Sequence, residues 1–157
     1  MDEAERKGKP LRLLAQDQDD VPVISALVQD AVVLPSEVVL DARGRRFVLL
    51  MNRFRWEEAD VEPRRVRTAL RIESVLKAAR KGWPATHDKE AVLELLAITV
   101  DPREDGSATL ELDFAGPAAV RLDVECIEVM LEDLTEPWPA RAKPVHKIGR
   151  ASRRERV

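Results

Sequence analysis

Several residue types on which secreted and metal-dependent proteins rely are scarce in this sequence. Its 157 residues include one cysteine, Cys126, and two histidines, His87 and His146. A single cysteine excludes an internal disulfide framework and is typical of a reducing compartment. The longest unbroken apolar run, residues 47–51, is far shorter than the roughly 20 residues of a membrane span. We therefore predict a soluble, cytoplasmic protein that contacts no membrane.

Glycine is also sparse, and the six glycines stand singly in the leader, the turns and the tail. A phosphate-binding loop needs neighbouring glycines, because backbone N–H groups must approach the phosphate closely. Phosphate-loop and dinucleotide-binding folds are therefore excluded. The histidines and the cysteine are too few for a usual zinc site. His87, Asp88 and Glu90 offer three ligand atoms, but their polar setting favours a solvated loop, and we predict no cofactor and no metal.

Two possible nucleophiles have ordinary structural interpretations. Cys126 precedes a predicted helix, whose N-terminus would activate a thiol, but the acidic neighbours Glu125 and Glu128 oppose this. We interpret Cys126 as a buried packing residue. Ser25 lies inside a predicted helix without the glycines of a nucleophile elbow. The sequence thus identifies no catalytic residues, and it favours a protein that is not an enzyme.

The composition is that of one folded domain with a heavily charged surface. Hydrophobic residues make up 45% of the chain and charged residues 35%, which supplies a core and separates the chain from disordered sequences. We predict a disordered leader over residues 1–10, a single domain over residues 11–146 and a disordered tail over residues 147–157. Residues 148–157 resemble the translation of a DNA-sequencing adapter, so we interpret the tail as an artefact; a genuine basic tail is the alternative.

Apolar periodicity divides the first half of the domain into a helix followed by strands. Spacings of three and four residues predict a helix after the carboxylates of residues 17–20, with a core-facing stripe formed by Val21, Ile24, Leu27, Val28, Ala31 and Val32. From Glu37 the period changes to two, and a turn at residues 41–44 predicts a β-hairpin. Residues 65–73 also alternate, which favours a strand over a mediocre helix.

The second half of the domain alternates between apolar and charged residues and then returns to helical spacing. Residues 92–100 form a nearly continuous apolar run, typical of a central strand covered on both faces. Residues 110–114 and 120–124 alternate on either side of a Gly-Pro turn, which predicts a meander. A closing helix is predicted from the spacing of Ile127, Met130, Leu131 and Leu134. We therefore predict an α+β fold, with a largely antiparallel, strongly curved sheet or half-barrel, an N-terminal helix and a C-terminal helix.

The segment with most chemical character follows the first hairpin, where aromatic and guanidinium groups alternate over residues 53–56. Strand geometry would place Arg53 and Arg55 on one face, and Phe54 and Trp56 on the other. Guanidinium groups fit carboxylate and phosphate groups. Arg53, Arg55 and Trp56 are therefore our candidate ligand or partner surface. The alternative is a pair of core aromatics beneath two solvated arginines.

Charge is distributed very unevenly along the chain. Residues 43–81 contain twelve Lys or Arg and five Asp or Glu, whereas residues 88–136 contain three and fourteen. If the basic and acidic strands are neighbours, outward arginines can pair with outward carboxylates, namely Arg65, Arg67 and Arg71 with Glu111, Asp113 or Asp123. If they are not, the basic segment forms a face for nucleic acid. We favour internal pairing, because the net charge of −3 opposes nucleic-acid binding.

Several segments of the domain resemble a known family in their order as well as their residues. They read LRLLAQDQDD, VISALVQDAVV, RRFVLLMNRFRWE, VLELLAITVDP, AVRLDVECIEVMLEDL and PWPARAKPVH. Over most of residues 11–146 the chain resembles an alphaproteobacterial family known as domain of unknown function 2948. The resemblance implies no activity, cofactor or site residue, because the family has none established.

Together these observations favour a bacterial protein that serves as a non-catalytic binding or adaptor domain. Its expected partner is another protein or a second copy of the same chain. Two alternatives stay open at this point. One is an enzyme of unrecognised type, and the other is a nucleic-acid-binding accessory protein that uses the basic segment, residues 43–81.

Overall fold

A computed structural model describes residues 10–58 and 62–140. Within these ranges the chain forms one α-helix, α1 (Val21–Val28), and two short 3-10 turns, Pro35–Glu37 and Trp56–Glu58. The strands of the same ranges are β1 (Arg12–Ala15), β2 (Ala31–Val33), β3 (Val38–Asp41), β4 (Arg46–Phe54), β5 (Arg64–Ile72), β6 (Val75–Lys81), β7 (Leu93–Pro102), β8 (Ala108–Phe114), β9 (Ala119–Val124), β10 (Val129–Asp133) and β11 (Trp138–Pro139). The predicted tail and nearly all of the predicted leader lie outside the described residues.

The strands form one antiparallel sheet in the order β1-β10-β5-β4-β2-β7-β8-β9-β6. Strand β3 pairs with the first half of β4, and β11 pairs with the first residues of β5. The sheet is neither closed nor strongly curled, and the fold is mostly sheet with one short helix. The predicted α+β class and the predicted curved sheet or half-barrel were therefore wrong.

The predicted C-terminal helix was also wrong, because this segment is strand β10, which lies between β1 and β5. Val129, Leu131 and Asp133 are buried on one face of β10 and alternate with less buried residues. Buried and less buried residues alternate along the whole of β10 only because the charged residue Asp133 takes the last inward position. A charged residue is rarely buried, so the sequence pattern concealed the period of two.

The predicted N-terminal helix forms but ends earlier than its apolar stripe. Helix α1 stops at Val28, and Ala31 and Val32 belong to β2. Between them Asp30 adopts a left-handed conformation with φ 64°, and its N–H donates to the Leu95 carbonyl at 2.8 Å. This turn redirects the chain from the helix into the sheet beside β7.

The predictions of the hairpin, of the strand at residues 65–73 and of the meander were confirmed. The hairpin β3–β4, the strand β5 and the meander β7–β8–β9 all form. Their inward residues belong to one continuous core, whose fully buried members include Leu49, Leu70, Leu110, Leu112, Leu122 and Leu131. The core joins both halves of the sheet, so the described residues pack around a shared interior.

The arginines of β5 pair within the chain, but not with the predicted carboxylates. Arg67 bonds Glu37, and Arg71 approaches Glu73 at 2.8 Å. Strand β5 lies between β4 and β10, whereas Glu111, Asp113 and Asp123 lie on the meander at the other end of the sheet. The expectation of internal pairing was right for these two arginines, and the predicted partners were wrong.

Candidate functional site

The candidate surface predicted from the sequence is built around a buried guanidinium. Arg53, near the end of β4, is 0% exposed. Its Nε and Nη2 donate to Asp133 Oδ1 and Oδ2 at 3.0 Å each, and its Nη1 and Nη2 donate to Glu57 at 2.9 and 2.7 Å. Two carboxylates therefore hold this guanidinium on both sides.

Further hydrogen bonds fix the Asp133 carboxylate. Thr68 on β5 donates its hydroxyl hydrogen to Asp133 Oδ1 at 2.8 Å, and the Leu11 N–H donates to Oδ2 at 2.9 Å.

Burial lowers the pKa of Arg53, but its hydrogen bonds to Glu57 and Asp133 outweigh this effect and leave the pKa raised. Burial likewise raises the pKa of Glu57, yet the hydrogen bond from Arg53 outweighs it and the pKa is lowered. Both shifts favour the ionised forms of Arg53 and Glu57.

Arg55 and Trp56 are also engaged within the chain. Arg55 Nη2 lies 3.2 Å from Glu58 Oε2, and Arg64 Nη2 donates to the other carboxylate oxygen, Glu58 Oε1, at 2.6 Å. The indole N–H of Trp56 donates to the Gln29 carbonyl at 2.9 Å, beside the turn that follows α1. These contacts hold the end of β4 against its surroundings. They are stabilising contacts of the fold, so a ligand would have to replace them.

The expected alternation of faces at residues 53–56 does not occur, because β4 ends at Phe54. Arg53 and Phe54 are both fully buried, and Phe54 packs edge to face on Trp56 with ring centroids 4.7 Å apart. The chain then enters a 3-10 turn, which breaks the strand period. The prediction failed because it applied strand geometry to Arg55 and Trp56, which lie beyond the end of β4.

The remaining sequence candidates are dispersed. Cys126 is exposed, in contrast to its predicted burial, and Ser25 accepts a hydrogen bond from the Ile98 N–H at 2.9 Å. His87 lies in an exposed segment between β6 and β7. Across residues 10–58 and 62–140, no group of three or more His, Cys, Asp or Glu is placed to hold a metal ion, and no helix is long and apolar enough to cross a membrane.

A different surface has the shape of a binding site. A groove of about 270 Å³ runs between β3 and β6, and we call it the β3–β6 groove. Its lining consists of Val38, Leu40, Phe47, Ala78, Ala79, Arg80, Trp83 and Val120. Phe47 and Val120 are almost completely buried, so they form an apolar floor. The lining is thus apolar apart from the guanidinium of Arg80.

Both strands that border the groove have an open edge. In the part of the chain that the structure describes, β6 pairs with β9 alone and β3 pairs with β4 alone. Only Glu73 and Ser74 connect β5 to β6, and the Val75 N–H donates to the Arg45 carbonyl at 2.9 Å. This short connection places β6 beside the β3–β4 hairpin and leaves a gap between the two edges.

The inward face of β6 is uncovered along the groove. Ala78 and Arg80 lie opposite Leu122 and Val120 of β9 in the pairing register, so they share the face of two buried apolar residues. Ala78 and Arg80 are nevertheless exposed. The sheet face that is buried in the core at β9 is therefore accessible to solvent at β6, the strand next to it.

Trp83 and Arg80 form one end of the groove. The Arg80 guanidinium stacks 5.3 Å from the centroid of the Trp83 ring, and Trp83 packs edge to face on Phe114 at 5.7 Å. Gly82 makes this arrangement possible, because it has φ 62° and a Cβ there would lie 2.2 Å from the Pro117 carbonyl oxygen. The stacked pair is thus held in place by the backbone as well as by packing.

A second, wider cavity of about 470 Å³ continues from this end of the groove. It shares Arg80 and Trp83 with the β3–β6 groove, and it also contacts Ser36, Thr86 and Lys89. A third cavity of about 280 Å³ on the other side again includes Arg80. Arg53, Arg55, His87 and Glu94 line none of these three cavities. The cation shared by all three cavities is Arg80, which the sequence did not single out.

The sequence carries only a weak signal for this site. Strand β6 lacks an apolar face, since Lys77, Arg80 and Lys81 are interleaved with two alanines. Basic residues on a strand are typical of a sheet edge. The partner of each strand decides whether an edge is open, and that information is not present in a local pattern.

The sequence of the chain resembles a known protein family over nearly all of this fold. Residues 11–146 match the family model described as protein of unknown function, DUF2948. Neither a curated protein nor a solved structure matches the chain. The family match covers every described element, from β1 to β11, and both surfaces discussed above. The chain therefore belongs to the family of proteins of unknown function DUF2948.

Proposed function

We propose that this chain is a non-catalytic binding domain that takes up an extended segment of another polypeptide in the β3–β6 groove. The observation that carries the proposal is the groove itself, an apolar floor bordered by two open strand edges. An open edge presents backbone N–H and C=O groups that a further strand can pair with. The incoming segment would act as an additional strand beside β6.

The chemistry of the groove suits this mode of recognition. Backbone hydrogen bonds to the edge supply affinity, and pockets for alternate side chains supply specificity. The exposed apolar side chain of Leu40 and the small side chain of Ala78 both line the groove, whose floor is formed by Phe47 and Val120. Burying apolar surface here contributes about 25 cal/mol for each Å² removed from water.

The test is a selection of short random peptides, displayed on phage, against the full chain. We expect enriched peptides to bind the unaltered protein and to lose binding to Ala78→Glu, because this substitution places a bulky charge in the groove. The matched control is Leu76→Glu, which adds the same charge on the same strand at an exposed position outside the groove lining. Peptides selected in this way should bind the control normally.

Unfolding curves must show that both variants are folded. A selection that enriches no peptide sensitive to Ala78→Glu would overturn the proposal. The same conclusion would follow if Leu76→Glu and Ala78→Glu weakened binding equally, because a general charge effect would then explain the loss.

A further inference from the structure

Resting on the proposed function, we infer that the segment bound in the β3–β6 groove is acidic and that one of its carboxylates pairs with Arg80. Two observations support this inference: the charges around the groove, and the ion pairs that five other arginines of the basic segment make within the chain. It names the chemical class of the partner, which the shape of the groove does not.

The open edge is uniformly basic. Residues 75–87 contain Lys77, Arg80 and Lys81 and no Asp or Glu. This stretch forms β6 and the segment that leads to the wider cavity, whose lining adds one cation, Lys89, and one carboxylate, Asp88. A chain with a net charge of −3 thus presents a local excess of positive charge at an edge that can accept a strand.

Arg80 also differs from other arginines of the basic segment. Arg45, Arg46, Arg53, Arg67 and Arg71 each pair with a carboxylate of the same chain. Among the residues that the structure describes, Arg80 has no such ion pair, and its guanidinium is stacked on Trp83. This cation–π contact leaves the N–H donors of the guanidinium able to bind a carboxylate.

The same charges argue against a second copy of this chain as the occupant. Two copies of β6 paired about a two-fold axis would bring Lys77, Arg80 and Lys81 of one copy against the same residues of the other. Like charges on paired strands are destabilising. An acidic segment would replace these repulsive contacts between like charges with attractive contacts between opposite charges.

The geometry of β6 predicts how the partner's residues alternate. Since Ala78 and Arg80 share the inward face, alternate residues of the added strand must also face inward. An inward residue near Ala78 is expected to be apolar, and one near Arg80 to be Asp or Glu. We therefore expect the pattern of an apolar residue two positions away from an acidic one.

The test uses synthetic versions of a peptide enriched in the selection described above, with its acidic residue as Glu, Gln or Lys. Binding to the full chain is measured by isothermal titration calorimetry. The Glu peptide should bind at least about tenfold more tightly than the Gln peptide, as expected for a charge-assisted hydrogen bond. Arg80→Glu should reverse the order, so that the Lys peptide becomes the tightest ligand.

The control variant is Arg12→Glu, which makes the same charge reversal at an exposed position of β1, the opposite end of the sheet. It should leave the order of the three peptides unchanged. Arg80→Lys keeps the charge but not the planar guanidinium, and we expect it to retain the preference for Glu with weaker binding.

The two proposals fail in different ways. Peptides that are blocked by Ala78→Glu but bind equally well as Glu and Gln versions would overturn the acidic partner and leave the groove as a binding site. Peptides that ignore Ala78→Glu would overturn the groove itself. A reversal of preference in Arg12→Glu as well as in Arg80→Glu would overturn the assignment of the carboxylate to Arg80.

Discussion

Two arginines illustrate how the setting of a residue decides its role. Arg53 is enclosed by Asp133 and Glu57, whereas Arg80 lies at a groove without an ion pair in the described chain. A buried charge must be compensated by partners of opposite sign, and these partners then occupy its donors. The first arginine is therefore committed to the fold, and the second is available for binding.

At this scale, Asp133→Ala should be among the most damaging substitutions of a single residue. It leaves the buried guanidinium of Arg53 with one carboxylate fewer and removes the acceptor of Thr68. We expect the free energy of unfolding to fall by about 3–5 kcal/mol, the range for breaking a buried ion pair. Chemical denaturation provides the measurement.

Glu132→Ala serves as the control, because Glu132 is the neighbouring carboxylate on the same strand and is only partly buried. Its loss should cost less than about 1 kcal/mol. Similar losses for the two variants would show that the Arg53 cluster does not stabilise the fold.

At the scale of elements, the strands differ in how clearly their sequence patterns predict them. In β8, apolar and polar residues alternate without interruption, and buried and less buried positions follow the same order. In β10 the inward Asp133 breaks the apolar pattern, and in β6 no apolar pattern exists beyond Val75. Local periodicity therefore predicts a strand where most inward positions are apolar, as in β8, and fails where too few of them are, as in β6.

The alternation in β8 gives a direct test of strand packing. Leu112→Ala should lower the free energy of unfolding by about 2–5 kcal/mol, because Leu112 is fully buried and its truncation leaves a cavity. Glu111→Ala, at the preceding residue, removes a surface ion pair with Arg121 at 3.5 Å and should cost less than about 1 kcal/mol. Equal costs in equilibrium denaturation would contradict this assignment of faces.

At the scale of the whole molecule, contacts between distant segments balance part of the uneven charge of the sequence. Arg53 and Asp133 lie 80 residues apart in the chain, as do Arg45 and Glu125. The carboxylates around Arg53 and the ion pairs at the surface neutralise much of the positive charge of residues 43–81. What is left accessible is concentrated on β6 rather than spread over a broad face.

This distribution predicts weak binding to nucleic acid. Affinity for a phosphate backbone depends on the number of cations that can replace counterions, and here several are already paired with carboxylates. We expect dissociation constants no tighter than about 10⁻⁴–10⁻⁶ M for mixed DNA and RNA at physiological salt. Fluorescence anisotropy across a salt series is the measurement, and submicromolar binding would contradict the prediction.

The sequence by itself determined the scarcity of cysteine, histidine and clustered glycine, the start of α1, the first hairpin and the meander. These features depend on composition or on the period of neighbouring side chains, which is local information. The tertiary structure alone decided that β10 is a strand, that Arg53 is buried and that β6 is an edge. Each of these depends on which distant segments become neighbours, and a contact such as that of Arg53 with Asp133 leaves no periodic trace in either segment.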